Sequence, residues 1–68
     1  MPELKKRSVD IDGHRTSVSM EAPFWDALRE IADKKSLSVN QLIATIDKDR
    51  TGNLSSAIRV YVLRAFRN

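Results

Sequence analysis

Arg15-Thr16-Ser17-Val18-Ser19-Met20 alternates polar and less polar side chains with a period of two. That period marks a β-strand, in which successive side chains point to opposite faces. Arg15, Ser17 and Ser19 share one face, and Thr16, Val18 and Met20 the other. A lone strand cannot satisfy its own backbone groups. The simplest repair is antiparallel pairing with the same strand of a second chain about a two-fold axis. One face of that ribbon meets a helical core and the other meets solvent.

On the N-terminal side, Asp12-Gly13 is a turn signal, because glycine readily takes a positive φ. Ser8-Val9-Asp10-Ile11-Asp12 alternates weakly, with Val9 and Ile11 on one side. It reads equally as the end of a basic arm or as a second strand that makes a hairpin. Residues 1–7, with Lys5, Lys6 and Arg7, read as a mobile basic arm.

On the C-terminal side the spacing becomes helical. Pro23 suits a first helical position, and Phe24, Leu28, Ile31 and Ala32 follow at helical intervals with Trp25 beside them. Lys34-Lys35 suits the negative end of the helix dipole. Ser38 is the expected N-cap of a second helix running through Val39, Leu42, Ile43 and Ile46 to about Arg50. Gly52 is expected as the left-handed residue that ends it. A third helix opens at Asn53 or Leu54-Ser55. Its apolar residues, Ile58 and Val62 among them, lie on several sides, so another protomer is expected to cover part of it.

Composition narrows the function. The chain has 68 residues, no cysteine and one histidine, which excludes disulfides and leaves too few ligands for a structural zinc site. Domains this small usually need a staple or a partner, so a homodimer is expected on stability grounds. The formal charge of +3 suits a polyanion, and its placement says more. Lys5, Lys6, Arg7 and Arg15 lie in the first quarter, whereas Asp26, Glu30, Asp33, Asp47 and Asp49 lie in the helical part. No apolar run approaches the ~20 residues of a membrane helix, no membrane partner is expected, and cytoplasmic residence is the default expectation. Nor is an enzyme expected. There is no cysteine nucleophile, phosphate-cradling glycine loop or metal cluster, and no cofactor is implied. His14 reads as a surface or phosphate-adjacent residue.

The polyanion that such a ribbon suits is double-stranded DNA. A two-stranded ribbon fits the major groove, where base edges are distinguishable. Arg15, Ser17 and Ser19 would contact bases. The free amides at Ser38-Val39-Asn40 would hold phosphate, with Lys5, Lys6, Arg7 and His14 as further phosphate contacts.

Strand, helix, short loop and Leu37-Ser38-Val39-Asn40 opening a second helix resemble the ribbon-helix-helix repressors of the Arc and methionine-repressor type. The stretch Gly13 to Glu21 followed by Phe24-Trp25, together with Gly52 to Val60, is similar to small stand-alone ribbon-helix-helix proteins of alphaproteobacteria. The resemblance implies base contact by Arg15, Ser17 and Ser19, and a phosphate-clamping turn at Ser38, Val39 and Asn40. It also implies a repressor, autoregulator or antitoxin-like role. The expected fold is mostly α with one short strand: a ribbon-helix-helix homodimer with an intermolecular antiparallel β-ribbon and an extra C-terminal helix. Its parts are the arm 1–12, the core 13–50 and the extension 51–68. Val18, Met20, Trp25, Leu28, Leu42, Ile43, Ile46, Ile58 and Val62 are the expected core and dimer residues. Higher assembly on long operators is compatible with this fold. The alternative is a protein-interaction module in which the ribbon only dimerises and the third helix binds a protein partner. Ile58→Asp or Val62→Asp would then destroy activity while Arg15→Ala would be silent.

Overall fold

The computed structural model describes residues 4–67, so residues 1–3 of the expected arm lie outside the described residues. Two strands, β1 (Leu4–Ile11) and β2 (His14–Glu21), precede three helices, α1 (Ala22–Lys34), α2 (Val39–Asp49) and α3 (Leu54–Arg67). The strands form one antiparallel hairpin, from Ile11 opposite His14 at the tip to Leu4 opposite Glu21 at the base. Asp12 and Gly13 both take positive φ, 50° and 83°, as the tight two-residue loops that match strand twist require.

The strand read from Arg15 to Met20 is therefore not alone. Its pairing along one edge comes from the same chain, through residues that read as an arm. Of the two readings left open for residues 8–12, the structure takes the strand and extends it through Lys5-Lys6-Arg7 to Leu4. Those three cations carry no alternation of their own. The tight turn and the waiting backbone of β2 recruit them, as context does for weak strand formers.

Each helix boundary has a local cause. Pro23 lies in the first turn of α1. At its other end Ser36 takes φ 58°, Leu37 N–H donates to Ala32 O (2.9 Å) and Ser36 N–H to Asp33 O (3.1 Å). This is the paired-bond C-terminal motif that usually places glycine where Ser36 stands. Ser38 opens α2 with a reciprocal cap. Its Oγ accepts from Gln41 N–H (3.1 Å), and its own N–H donates to Gln41 Oε1 (2.8 Å). The expected ending of α2 at a left-handed Gly52 does not occur, since Gly13 is the glycine with positive φ. The chain instead leaves α2 through an extended Arg50, φ −73° and ψ 148°. The Arg50 guanidinium holds that exit by pairing with Asp47 (2.5 Å) and donating to the Gly52 carbonyl. Asn53 then caps α3, its Oδ1 accepting from Ser56 N–H (3.1 Å).

The inner face of the hairpin seats Val9, Ile11, Val18 and Met20 on the helices. Trp25, Leu28, Ile31 and Ala32 of α1, Leu42, Ile43 and Ile46 of α2, and Ile58 and Val62 of α3 complete the core. Thus Ile58 and Val62 are covered by their own chain, so no second protomer is needed for them. The large apolar residues of α3 that stay exposed are Val60, Leu63 and Phe66.

Candidate nucleic-acid interface

The hairpin register determines which side chains share its outer face, because directly opposed residues of an antiparallel pair point the same way. Lys6 lies beside Ser19, Ser8 beside Ser17 and Asp10 beside Arg15, all opposite the core side. Five of these six are exposed and Ser19 is half-buried. Arg15 Nε lies 3.4 Å from Asp10 Oδ1, with the side chains 76% and 57% exposed. So solvated a pair adds at most ~1 kcal/mol. Arg15 is therefore free to exchange this partner for a stronger acceptor.

Ser19 is half-buried because α3 lies along that end of β2. Its N–H donates to Ser55 Oγ (3.2 Å), and its carbonyl accepts from Arg59 Nη2 (3.3 Å). Arg59 Nε also donates to Glu21 Oε1 (3.2 Å), and its guanidinium lies 5.9 Å from the centre of the Phe24 ring. Glu21's own backbone amide is the main influence holding its carboxyl below the ordinary 4.5. Burial opposes that, and the Arg59 bond and charge assist it. In an antiparallel ladder both polar groups of a residue face one edge and alternate residues face opposite edges. Arg15 and Ser17 therefore address the same outer edge of β2 as Ser19.

The cations expected as one phosphate-contacting arm separate by register. Lys6 is on the outer face, whereas Lys5 and Arg7 fall on the core side. Arg7 folds over the Trp25 ring, 5.2 Å from its centre. Trp25 Nε1 is buried without an acceptor among the described residues, so it is the ring face that Arg7 engages. His14 is exposed at the hairpin tip, where it borders a cleft with Thr16, Asp47, Arg50 and Asn53.

That cleft also fixes the direction of α2. Its C-terminal residues Asp47 and Arg50 lie at the hairpin tip, so the Ser38 end lies a helix length away, about 16 Å for eleven residues. Within one chain the structure does not bring Ser38, Val39 and Asn40 to Arg15. The cap takes up Ser38 Oγ and leaves the Val39 and Asn40 amides without an acceptor among the described residues. Val18, Met20, Trp25, Leu28, Leu42, Ile43, Ile46, Ile58 and Val62 all lie in the core. In particular, Ile58→Asp and Val62→Asp would report on folding, so they cannot isolate a partner surface.

Ser8 and Asp10 join the outer face although sequence reasoning does not single them out, and signals for them exist. Val9 and Ile11 alternate opposite to them, and an Asp12-Gly13 loop sets Ile11 against His14. Among the described residues no group of three or more His, Cys, Asp or Glu side chains could hold a metal ion. None of the described helices is long and apolar enough to cross a membrane.

A two-stranded ribbon packed on helices, polar on its outer face, defines a class of small DNA-binding domains. The profile of the family described as "Ribbon-helix-helix domain" matches residues 4–66, and the chain belongs to that family. Ribbon-helix-helix domains are DNA-binding modules of the transcription-regulator type, generally dimeric and without catalytic activity. Among solved structures the chain is similar to an uncharacterized protein from Bordetella pertussis Tohama I. The two share 35% identity and a TM-score of 0.79, over 93% of this chain and 55% of that one. The chain thus spans little more than half the length of that protein. No curated protein matches.

Proposed function

We propose that the chain binds double-stranded DNA sequence-specifically, with the outer face of its hairpin in the major groove, and acts as a homodimeric transcriptional repressor or autoregulator in the cytoplasm. The observation that carries this reading is the composition of that face. Lys6, Ser8, Asp10, Arg15 and Ser17 are exposed donors and acceptors on a hairpin whose other side seats Val9, Ile11, Val18 and Met20 in the core. Two strands ~4.8 Å apart suit a groove about 12 Å wide. Arg15 and Ser17 are the base-reading residues, with Lys6 and Ser8 added to them, and Ser19 contributes less because α3 shields it. The free amides of Val39 and Asn40 hold a backbone phosphate. Lys5 adds electrostatic attraction from the flank, and His14 is a further phosphate contact at the hairpin tip.

The test is selection from a random duplex pool at near-physiological salt, followed by affinity measurements on the enriched site. Arg15→Ala should weaken that site roughly 10- to 100-fold, the range for a bidentate base contact, and leave thermal stability unchanged. An enriched pool that Arg15→Ala binds as well as the parent chain would exclude this face as the reader.

A further inference from the structure

We propose that the outer side of α3, with the groove between α3 and the end of α2, is a docking surface for an acidic amphipathic helix of a partner protein. This is independent of the DNA-reading face, which lies on the hairpin. Val60, Leu63 and Phe66 are 44%, 56% and 55% exposed. Spaced three residues apart, they wrap across the solvent side of the helix's second half. Beside them runs a groove of about 440 Å³, lined by Ile46, Ala57, Val60, Tyr61, Asp49 and Arg64 among others. Large apolar side chains together with a concavity are what an amphipathic helix fills with its own apolar stripe.

Charge selects the occupant. α3 carries Arg59, Arg64 and Arg67 and no acidic residue. Arg59 is occupied by Glu21. Arg64 and Arg67, on the same side as Val60 and Leu63, have no carboxylate within ion-pair distance among the described residues. A second copy would bring another arginine-bearing α3 with no acidic residue of its own, and only Asp49 of the groove to answer four arginines. DNA phosphate would gain nothing from Leu63 or Phe66. An anionic membrane surface would leave the groove unfilled. A helix with one leucine-rich face flanked by glutamates answers all three features, with its carboxylates directed to the Arg64–Arg67 end, away from Asp49.

The test titrates the isotopically labelled full chain with a synthetic helical peptide of leucine and glutamate, its leucines at helical spacing, and follows amide resonances. A scrambled peptide and a lysine-for-glutamate version are the controls. Saturable shifts confined to α3 and residues 46–53, absent with both controls, are the expected result. Leu63→Glu and the Arg64→Ala/Arg67→Ala pair should each weaken binding at least about tenfold, as loss of a central anchor does. Both sets of side chains are exposed, so the melting temperature and the affinity for selected duplex DNA should hold. Equal binding of the scrambled peptide would overturn the proposal. So would a self-associated chain that Leu63→Glu renders monomeric, since a second copy would then be the occupant. Anionic phosphatidylglycerol vesicles shifting α3 more strongly than the peptide would assign the face to membrane. Loss of duplex affinity in the double arginine variant would assign it to DNA.

Discussion

Arg59→Ala is the most informative single perturbation, because one side chain there joins the last helix to the end of the ribbon. The substitution removes the bond to the Ser19 carbonyl (3.3 Å), the pair with Glu21 (3.2 Å) and the contact with the Phe24 ring. The Ser19 carbonyl bond is worth ~1 kcal/mol. The ion pair is about one-third exposed on each side, so solvent screening leaves it a minor contributor. The ring contact adds a further ~0.5 kcal/mol. The carbonyl bond and the ring contact together give a destabilisation of about 1.5 kcal/mol, or roughly 9 °C in melting temperature for a domain of this size. Urea unfolding followed by the fluorescence of Trp25, the sole tryptophan, gives the value directly. The midpoint should fall at an unchanged slope. Arg59→Lys should recover part of the loss, because an ammonium keeps the charge but not the forked geometry that spans Glu21 and Ser19. A change below about 0.5 kcal/mol in Arg59→Ala, at the low edge of a single hydrogen bond, would refute the joint between α3 and β2.

Three further outcomes follow from the same geometry. Glu21 has a depressed folded-state pKa, so its contribution to stability is fully present above its unfolded value and is lost as pH falls through the folded one. Urea midpoints of the parent chain and Glu21→Gln should therefore differ at neutral pH and converge below about pH 4, where an unfolded glutamate titrates. Ser36 sits at φ 58° at the end of α1, so Ser36→Gly should relieve roughly 1 kcal/mol of left-handed strain and raise the melting temperature by a few degrees. Asp10→Asn removes a carboxylate from the proposed reading face at the cost of one exposed pair. It should strengthen duplex binding several-fold at low salt, with the gain fading as salt rises. A loss of affinity would mean that Asp10 accepts a hydrogen bond from a base.

The helices and the inner side of β2 are legible in the sequence because their signals are local and redundant. Ser38 with Gln41, Pro23 in a first turn and the spacing of Leu42, Ile43 and Ile46 each point to one conformation. Residues 4–7 are not legible, because Leu-Lys-Lys-Arg has no period and becomes a strand only when the turn at Asp12-Gly13 delivers it to β2. The departure at Gly52 has a similar origin. Glycine favours left-handed conformations, but Arg50 anchored to Asp47 and Gly52 ends the helix before one is needed. On α3, sequence alone does not tell which apolar side chains the chain covers itself. Packing buries Ile58 and Val62 and leaves Val60, Leu63 and Phe66 outside, and that division separates a stability role from the proposed docking surface.

Pairing β2 within the chain changes what symmetry a DNA site should show. A ribbon built from two identical strands would present the same residues on both and would read a palindrome across its own axis. This hairpin presents Lys6, Ser8 and Asp10 on one strand and Arg15, Ser17 and Ser19 on the other, so under the proposed function each hairpin would read an asymmetric sequence. Two-fold symmetry in an operator would then come from two hairpins on separate copies, in half-sites about one helical turn apart or a multiple of it. The positions where selected sites are constrained thus discriminate between the arrangements. A palindrome continuous through its centre means the strands re-pair between chains, with α3 leaving the Ser19 edge. Two separated asymmetric half-sites mean that the hairpin of one chain is the reading unit.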